Sequence, residues 1–209
     1  MYLSTNNIAI RYFHDAATVF NTRDENLESS IMAAPLRGHV LEFGVRKGAT
    51  INKLANWVPG DRVVTGFDSF EGLPEDLQLT KSGKVAKAGK FAFKGKLRLA
   101  SNVKIIKGLF KYTLPIWMVE NKEPISFIHN DSDLYSSTIQ TLSVLNDRII
   151  PGTVIVFDEL CNFEDSEWDY DNWEEGEWKA LTEWMRVYSR KIMILSRSRH
   201  EQATIRIVE

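Results

Sequence analysis

Six carboxylates in this chain stand where they could hold a ligand and move a proton. Glu42, Asp68, Asp131, Asp133, Asp158 and Glu159 lie at or just beyond the ends of short apolar runs. Any one of them could simply cap a following helix, because Asp accepts the unpaired N–H groups there. Six at one edge exceed that need, and in an open α/β sheet this edge is where ligands bind. Asp131-Ser132-Asp133 and Asp158-Glu159 should end neighbouring strands. Carboxylates crowded in this way raise one another's pKa unless a cation joins them. Oxygen donors suit a hard divalent ion such as Mg2+. Such an ion lowers the pKa of a coordinated hydroxyl, and Asp133 is placed to take the proton. A zinc site is not expected. His129 and the single Cys161 form no ligand cluster, and His129 reads as a core or supporting residue.

A second constellation is Glu42-Phe43-Gly44-Val45-Arg46-Lys47-Gly48. An acid ends the strand, and two glycines let the backbone turn close to a ligand. The spacing is not the dinucleotide pattern G-x-G-x-x-G, so a nicotinamide dehydrogenase is disfavoured. Asp68, at the end of the next strand, can accept both hydroxyls of a ribose.

The elements that must position these residues follow from periodicity. Strands are expected at His39–Phe43, Arg62–Phe67, Val103–Gly108, Ile125–His129, Thr153–Phe157, Lys191–Leu195 and Ala203–Val208. Helices are expected at Thr50–Trp57, Leu114–Val119, Ser136–Leu145 and Glu177–Tyr188, with Ser136 or Ser137 capping the third. Ile10–Met32 reads as one or two further helices, broken near Asn21–Asp24. Strands alternating with helices imply a Rossmann-like, doubly wound, mostly parallel sheet of seven strands, closed by an antiparallel C-terminal hairpin. The 209 residues fit one domain, with an N-terminal helical segment at 1–34.

Between Leu77 and Ala100 there are seven Lys or Arg residues and no Asp or Glu, with glycines at 83, 89 and 95. This segment, 77–101, reads as a basic lid or loop that covers an acceptor site or stays solvated. Trp178 and Trp184 should pack a helix onto the sheet, whereas Trp168 and Trp173, in an acidic context, are candidates for stacking on an acceptor. Net charge is −2, which gives the whole molecule no pull toward nucleic acid. No segment has the apolar length of a membrane span, and the polar residues 1–7 do not read as a secretory signal. A lone cysteine fits a reducing cytosol.

The E-x-G-x-x-x-G spacing is similar to motif I of class I methyltransferases. Gly66-Phe67-Asp68-Ser69-Phe70-Glu71-Gly72-Leu73-Pro74-Glu75 resembles a hallmark segment of the macrocin O-methyltransferase family, the metal-dependent sugar methyltransferases. Asp131–Thr138, Pro151–Glu159, Gly176–Ala180 and Gly108–Pro115 resemble further blocks, so the likeness runs over about residues 38–185 in order. It implies that Glu42, Gly44, Val45 and Gly48 line the methionine part of S-adenosylmethionine. It implies that Asp68 holds the ribose with Ser69 beside it, and that Asp131 also borders the cofactor. It further implies Mg2+ on Asp131, Asp158 and Glu159, and Asp133 as the base that deprotonates a hydroxyl of a small-molecule acceptor, a glycoside in this family. The family pattern has two aspartates at the last metal pair, and Glu159 departs from it. A phenolic acceptor would use the same carboxylates. A noncatalytic binding module would have no use for a base. The N-terminal region is short for the family, which leaves the acceptor site more open or completed by a second subunit.

Overall fold

The computed structural model describes residues 17–35, 37–162 and 170–209. Its main sheet has eight strands in the order β1-β9-β10-β8-β7-β2-β3-β6. These are β1 (Thr18–Phe20), β2 (His39–Phe43), β3 (Val64–Asp68), β6 (Val103–Lys107), β7 (Ile125–Asn130), β8 (Ile149–Phe157), β9 (Ile192–Ser198) and β10 (Ala203–Ile207). Only β10 runs antiparallel to its neighbours. The chain order β2, β3, β6 grows outward on one side of β2, and β7 then returns to its other side. That reversal leaves a crevice between the C-terminal ends of β2 and β7, the place where open α/β sheets take ligands.

The seven expected strands are all present, and β1 makes the eighth. Thr18–Phe20 therefore departs from the helical reading of the N-terminal segment. Its β-branched and aromatic residues pair in parallel with Ser196–Ser198 at the sheet edge. The helix there, α1, is confined to Arg23–Met32. Thr22 starts it: its side chain accepts from Glu25 N–H while Glu25 reaches back to the Thr22 backbone, a capping box. The part of the expected helix before residue 17 lies outside the described residues.

Helices α1 and α2 (Ala49–Trp57) cover one face of the sheet. Helices α3 (Phe110–Glu120), α4 (Tyr135–Leu145) and α5 (Glu177–Val187) cover the other. Strand alternation feeds both cores. Val40, Val64 and Phe127 pack with Leu27, Ile51 and Leu54, while Leu41, Phe43 and Phe67 pack with Leu114, Trp117 and Trp184. All six residues of β7 are buried, as a central parallel strand requires. Each fully buried Phe or Leu contributes about 1.5–3 kcal/mol by leaving water. Trp178 and Trp184 pack α5 onto the sheet as expected.

Two local expectations change. Helix α4 begins one residue early, with Leu134 at the cap and no side-chain cap bond, and the Ser136 hydroxyl instead donates to Glu75. The basic segment forms a two-stranded antiparallel hairpin, β4 (Leu77–Gln78) with β5 (Val85–Ala86). Leu77 and Ala86 are buried against the main core, so this insertion is anchored from below while its lysines stay exposed. Among the described residues no helix is long and apolar enough to cross a membrane.

Candidate active site

The crevice opens into a cavity of about 680 Å³, within the range that holds a cofactor-sized ligand. Gly44, Asp68, Ser69, Asp131, Asp133, Asp158 and Glu159 line it, so the predicted acids of three strand ends converge on one space beside the Gly44 turn. Backbone geometry explains the convergence. Gly44 has φ +93°, and a Cβ there would collide with the Asp131 carbonyl oxygen, so only glycine lets the β2 and β7 ends meet. Asp131 N–H donates to the Phe43 carbonyl, and Asp158 N–H donates to the Asn130 carbonyl, which aligns the three strand ends.

Asp68 organises the first turn. Its Oδ2 accepts from the Val45 and Arg46 N–H groups at 2.9 and 2.6 Å, and its Oδ1 accepts from Phe70 N–H at 2.6 Å. Oδ2 is filled by its two backbone donors, whereas Oδ1 keeps a second lone pair for a ligand hydroxyl. Val45 and Gly48 are buried behind this turn, with Gly48 at φ +80° opening α2. Four non-glycine residues near the cavity, Arg46, Phe70, Phe91 and Asp133, also have positive φ. Strain of this kind persists where surrounding structure over-determines the backbone, as at functional sites.

Glu42 does not reach the cavity. It is fully buried beneath it, and β2–β7 register places it beside His129, whose Nδ1 lies 3.0 Å from Glu42 Oε1. His129 Nε2 faces Asp158 Oδ1 at 3.4 Å. Burial disfavours the imidazolium, but the hydrogen bonds to Asp158 and Glu42 outweigh it and raise its pKa to about 10. A doubly protonated ring donates from both nitrogens and has no lone pair for a metal. His129 thus acts as the supporting residue the sequence suggested, joining the motif I acid to the candidate metal site. Among the described residues, Glu42 Oε2 is buried without a partner.

Burial and the Asp158 charge push Asp131 and Glu159 well above the usual carboxylate range. Asp133, half-buried on the cavity wall, is raised to about 6 by burial and by Asp158. Asp158 goes the other way: burial opposes its ionisation, but Arg23 and His129 hold it well below the usual value. Glu177, at the start of α5, accepts from Glu159 N–H and Asn130 Nδ2, and burial lifts it to about 8.

The donor set fits a hard cation. Atoms of His129, Asp131 and Asp158 come within 4.8 Å of one another, and among the described residues Glu159 Oε2 is buried without a partner. With His129 protonated, Asp131 and Asp158 remain as oxygen donors. Glu159 stands outside this cluster, and its Oε1 accepts from Arg23 Nη2 at 2.9 Å. Arg23, Gln202 and Glu201 are site residues that the sequence reading missed. They are 40 to more than 130 positions from the residues they meet, and no local pattern marks them. Trp173 is corrected: it is buried against Trp178 in the core rather than presented to the cavity, because η-turn residues 173–175 fold it beneath α5. Trp168 lies outside the described residues.

The family described as Macrocin-O-methyltransferase (TylF) matches residues 20–181. No curated protein matches the sequence. Among solved structures, the calicheamicin methyltransferase CalS11 is 24% identical, with 88% of this chain and 76% of that chain covered and a TM-score of 0.67. The apo structure of CalS11 describes it as a TDP-rhamnose 3′-O-methyltransferase. The O-methyltransferase NovP is 20% identical, with 90% and 80% covered and a TM-score of 0.58. An O-methyltransferase from Bacillus cereus in complex with SAH is 15% identical, with 99% and 93% covered and a TM-score of 0.56. At these identities the structures share the class I methyltransferase fold, whereas the family match spans most of the sequence and all four acid-bearing strand ends. The chain therefore belongs to the macrocin O-methyltransferase family and is an S-adenosylmethionine-dependent O-methyltransferase.

Proposed function

We propose that this protein methylates a hydroxyl of a small-molecule glycoside, with a hard divalent cation such as Mg2+ bound beside the acceptor. The observation that carries the reading is the convergence of Asp68, Asp131, Asp133 and Asp158 on one cavity at the β2–β7 switch point. The family match and the sugar named for CalS11 support the glycoside.

Gly44, Val45 and Gly48 shape the turn that receives the methionine part of the cofactor, and Asp68 with Ser69 receives the ribose. Glu42 acts from beneath, where its carboxylate holds His129 in place between the turn and Asp158. Asp131 and Asp158 hold the cation, with Glu159 available as a third ligand. When bound, S-adenosylmethionine supplies an activated methyl group, and the cation supplies Lewis acidity toward the acceptor hydroxyl. Asp133 accepts the hydroxyl proton. Its pKa of about 6 leaves it ionised near neutral pH yet basic enough to serve. The remaining walls, including Leu73 together with Leu77, Ala86 and Phe91 from the basic insertion, exclude water and orient the acceptor. This reading takes the chain as one cytosolic domain, with room for a second copy to complete the acceptor side.

The test is calorimetry of S-adenosylmethionine binding with and without Mg2+, followed by a panel of sugar and phenolic acceptors with chelator controls. Absence of cofactor binding overturns the whole reading. Turnover that survives chelator removes the cation alone, and turnover confined to phenols removes the glycoside.

A further inference from the structure

The Asp158–Glu159 pair already carries a cation of the protein's own. Arg23, in the first turn of α1, sends Nη2 to Asp158 Oδ2 at 2.8 Å, to Glu159 Oε1 at 2.9 Å and to the Asp158 carbonyl at 2.8 Å. One turn on, Asn26 Nδ2 donates to Gln202 Oε1 at 2.7 Å, and Gln202 Nε2 donates to Asp158 Oδ1 at 2.6 Å. Both oxygens of Asp158 are therefore fixed from the same helix, one by Arg23 directly and the other through Gln202. Ser30, a further turn along, closes the buried polar line against Thr204 Oγ1 at 2.7 Å. The Arg23 side chain is one-third exposed and lines the cavity, so a path leads from its guanidinium to open space.

We propose that Arg23 and the divalent cation are alternative occupants of the Asp158–Glu159 carboxylates, with Arg23 holding the pair until the cation enters. This rests on the cation reading above. A guanidinium and a divalent ion on the same two carboxylates repel, so each weakens the other's hold. Two adjacent buried carboxylates are costly unless a cation joins them or one of them takes up a proton. Arg23 is that cation in the metal-free enzyme and keeps Glu159 from the ligand set. Entry of the cation moves Arg23 aside, frees Glu159 Oε1 as a third ligand beside Asp131 and Asp158, and loosens the first turn of α1 at the cavity wall. Arg23 is thus a positioning residue for the site.

The experiment is Mn2+ binding by calorimetry to the full chain, saturated with S-adenosylhomocysteine, in the wild type, Arg23→Gln and Arg23→Lys. Expected is at least tenfold tighter Mn2+ binding in Arg23→Gln, with Arg23→Lys between the two. Equal or weaker binding in Arg23→Gln overturns the proposal and leaves the cation reading standing. No Mn2+ binding by any of the three proteins overturns both. Should Arg23→Gln not fold, hydrogen exchange on the wild type decides. Saturating Mn2+ should reduce protection of the α1 amides at residues 25–27 by at least tenfold, and unchanged or increased protection overturns the proposal.

Discussion

Replacing Asp133 by asparagine should stop methyl transfer and at the same time make the metal-free protein more stable. Asp133 sits at φ +61°, a left-handed conformation that asparagine adopts as readily as any residue with a side chain, so the substitution adds no backbone strain. The carboxylate is raised from the ordinary aspartate value of 3.8 to about 6 by burial and by Asp158. A raised carboxylate binds its proton more tightly in the folded state. Folding stability therefore falls as pH rises from about 4 to about 6, and the penalty is fully present above that. The displacement corresponds to about 3 kcal/mol. Because the side chain is half-buried on an open cavity wall, screening lowers the expected gain for Asp133→Asn to about 1–2 kcal/mol at pH 7.5. Urea unfolding of both proteins in chelator, at pH 7.5 and pH 4.5, measures it, and the gain should at least halve at the lower pH. S-adenosylhomocysteine affinity should be unchanged while turnover is lost. A variant that gains nothing at pH 7.5 would show that Asp133 is not under electrostatic strain. A variant that methylates normally would show that it is not the base.

Three further outcomes are expected. Gly44→Ala drives a Cβ into the Asp131 carbonyl at a position of positive φ, so it should cost roughly 3 kcal/mol or more and abolish S-adenosylhomocysteine binding, read by thermal shift and calorimetry. Asp68→Asn sets an amide N–H against backbone donors from Val45, Arg46 or Phe70. It should weaken S-adenosylhomocysteine at least tenfold and lower stability by about 1–3 kcal/mol. His129 is raised to about 10, so the stability it contributes is complete below about pH 6.5 and is lost as pH climbs toward 10. The Tm of the wild type in chelator should fall over that interval more steeply than the Tm of His129→Gln, and parallel profiles would rule out a buried imidazolium.

Much of the frame was legible in the chain. Seven strands, four helices and the C-terminal hairpin follow from runs such as Val154–Phe157 and from the helical spacing of Ile51, Leu54 and Ala55, because burial on two faces or on one imposes those patterns locally. The acids at the strand ends were readable for the same reason: a strand ends where its apolar run ends, and the residue after it is placed at the sheet edge. The N-terminal boundary was not readable. Thr18–Phe20 becomes a strand only because the edge of β9 is free to pair with it.

By itself, then, the sequence determined the doubly wound sheet, the switch-point crevice, the cluster of Asp68, Asp131, Asp133 and Asp158, and the family. Tertiary structure alone decided what those acids touch. It buried Glu42 against His129 instead of exposing it to a ligand, sent Trp173 into the core, and set Arg23 on Asp158 and Glu159 from 135 and 136 positions away. Such contacts depend on how α1 crosses the end of β8 in three dimensions. The charge of an arginine in a first helical turn carries no mark of the carboxylates it will meet.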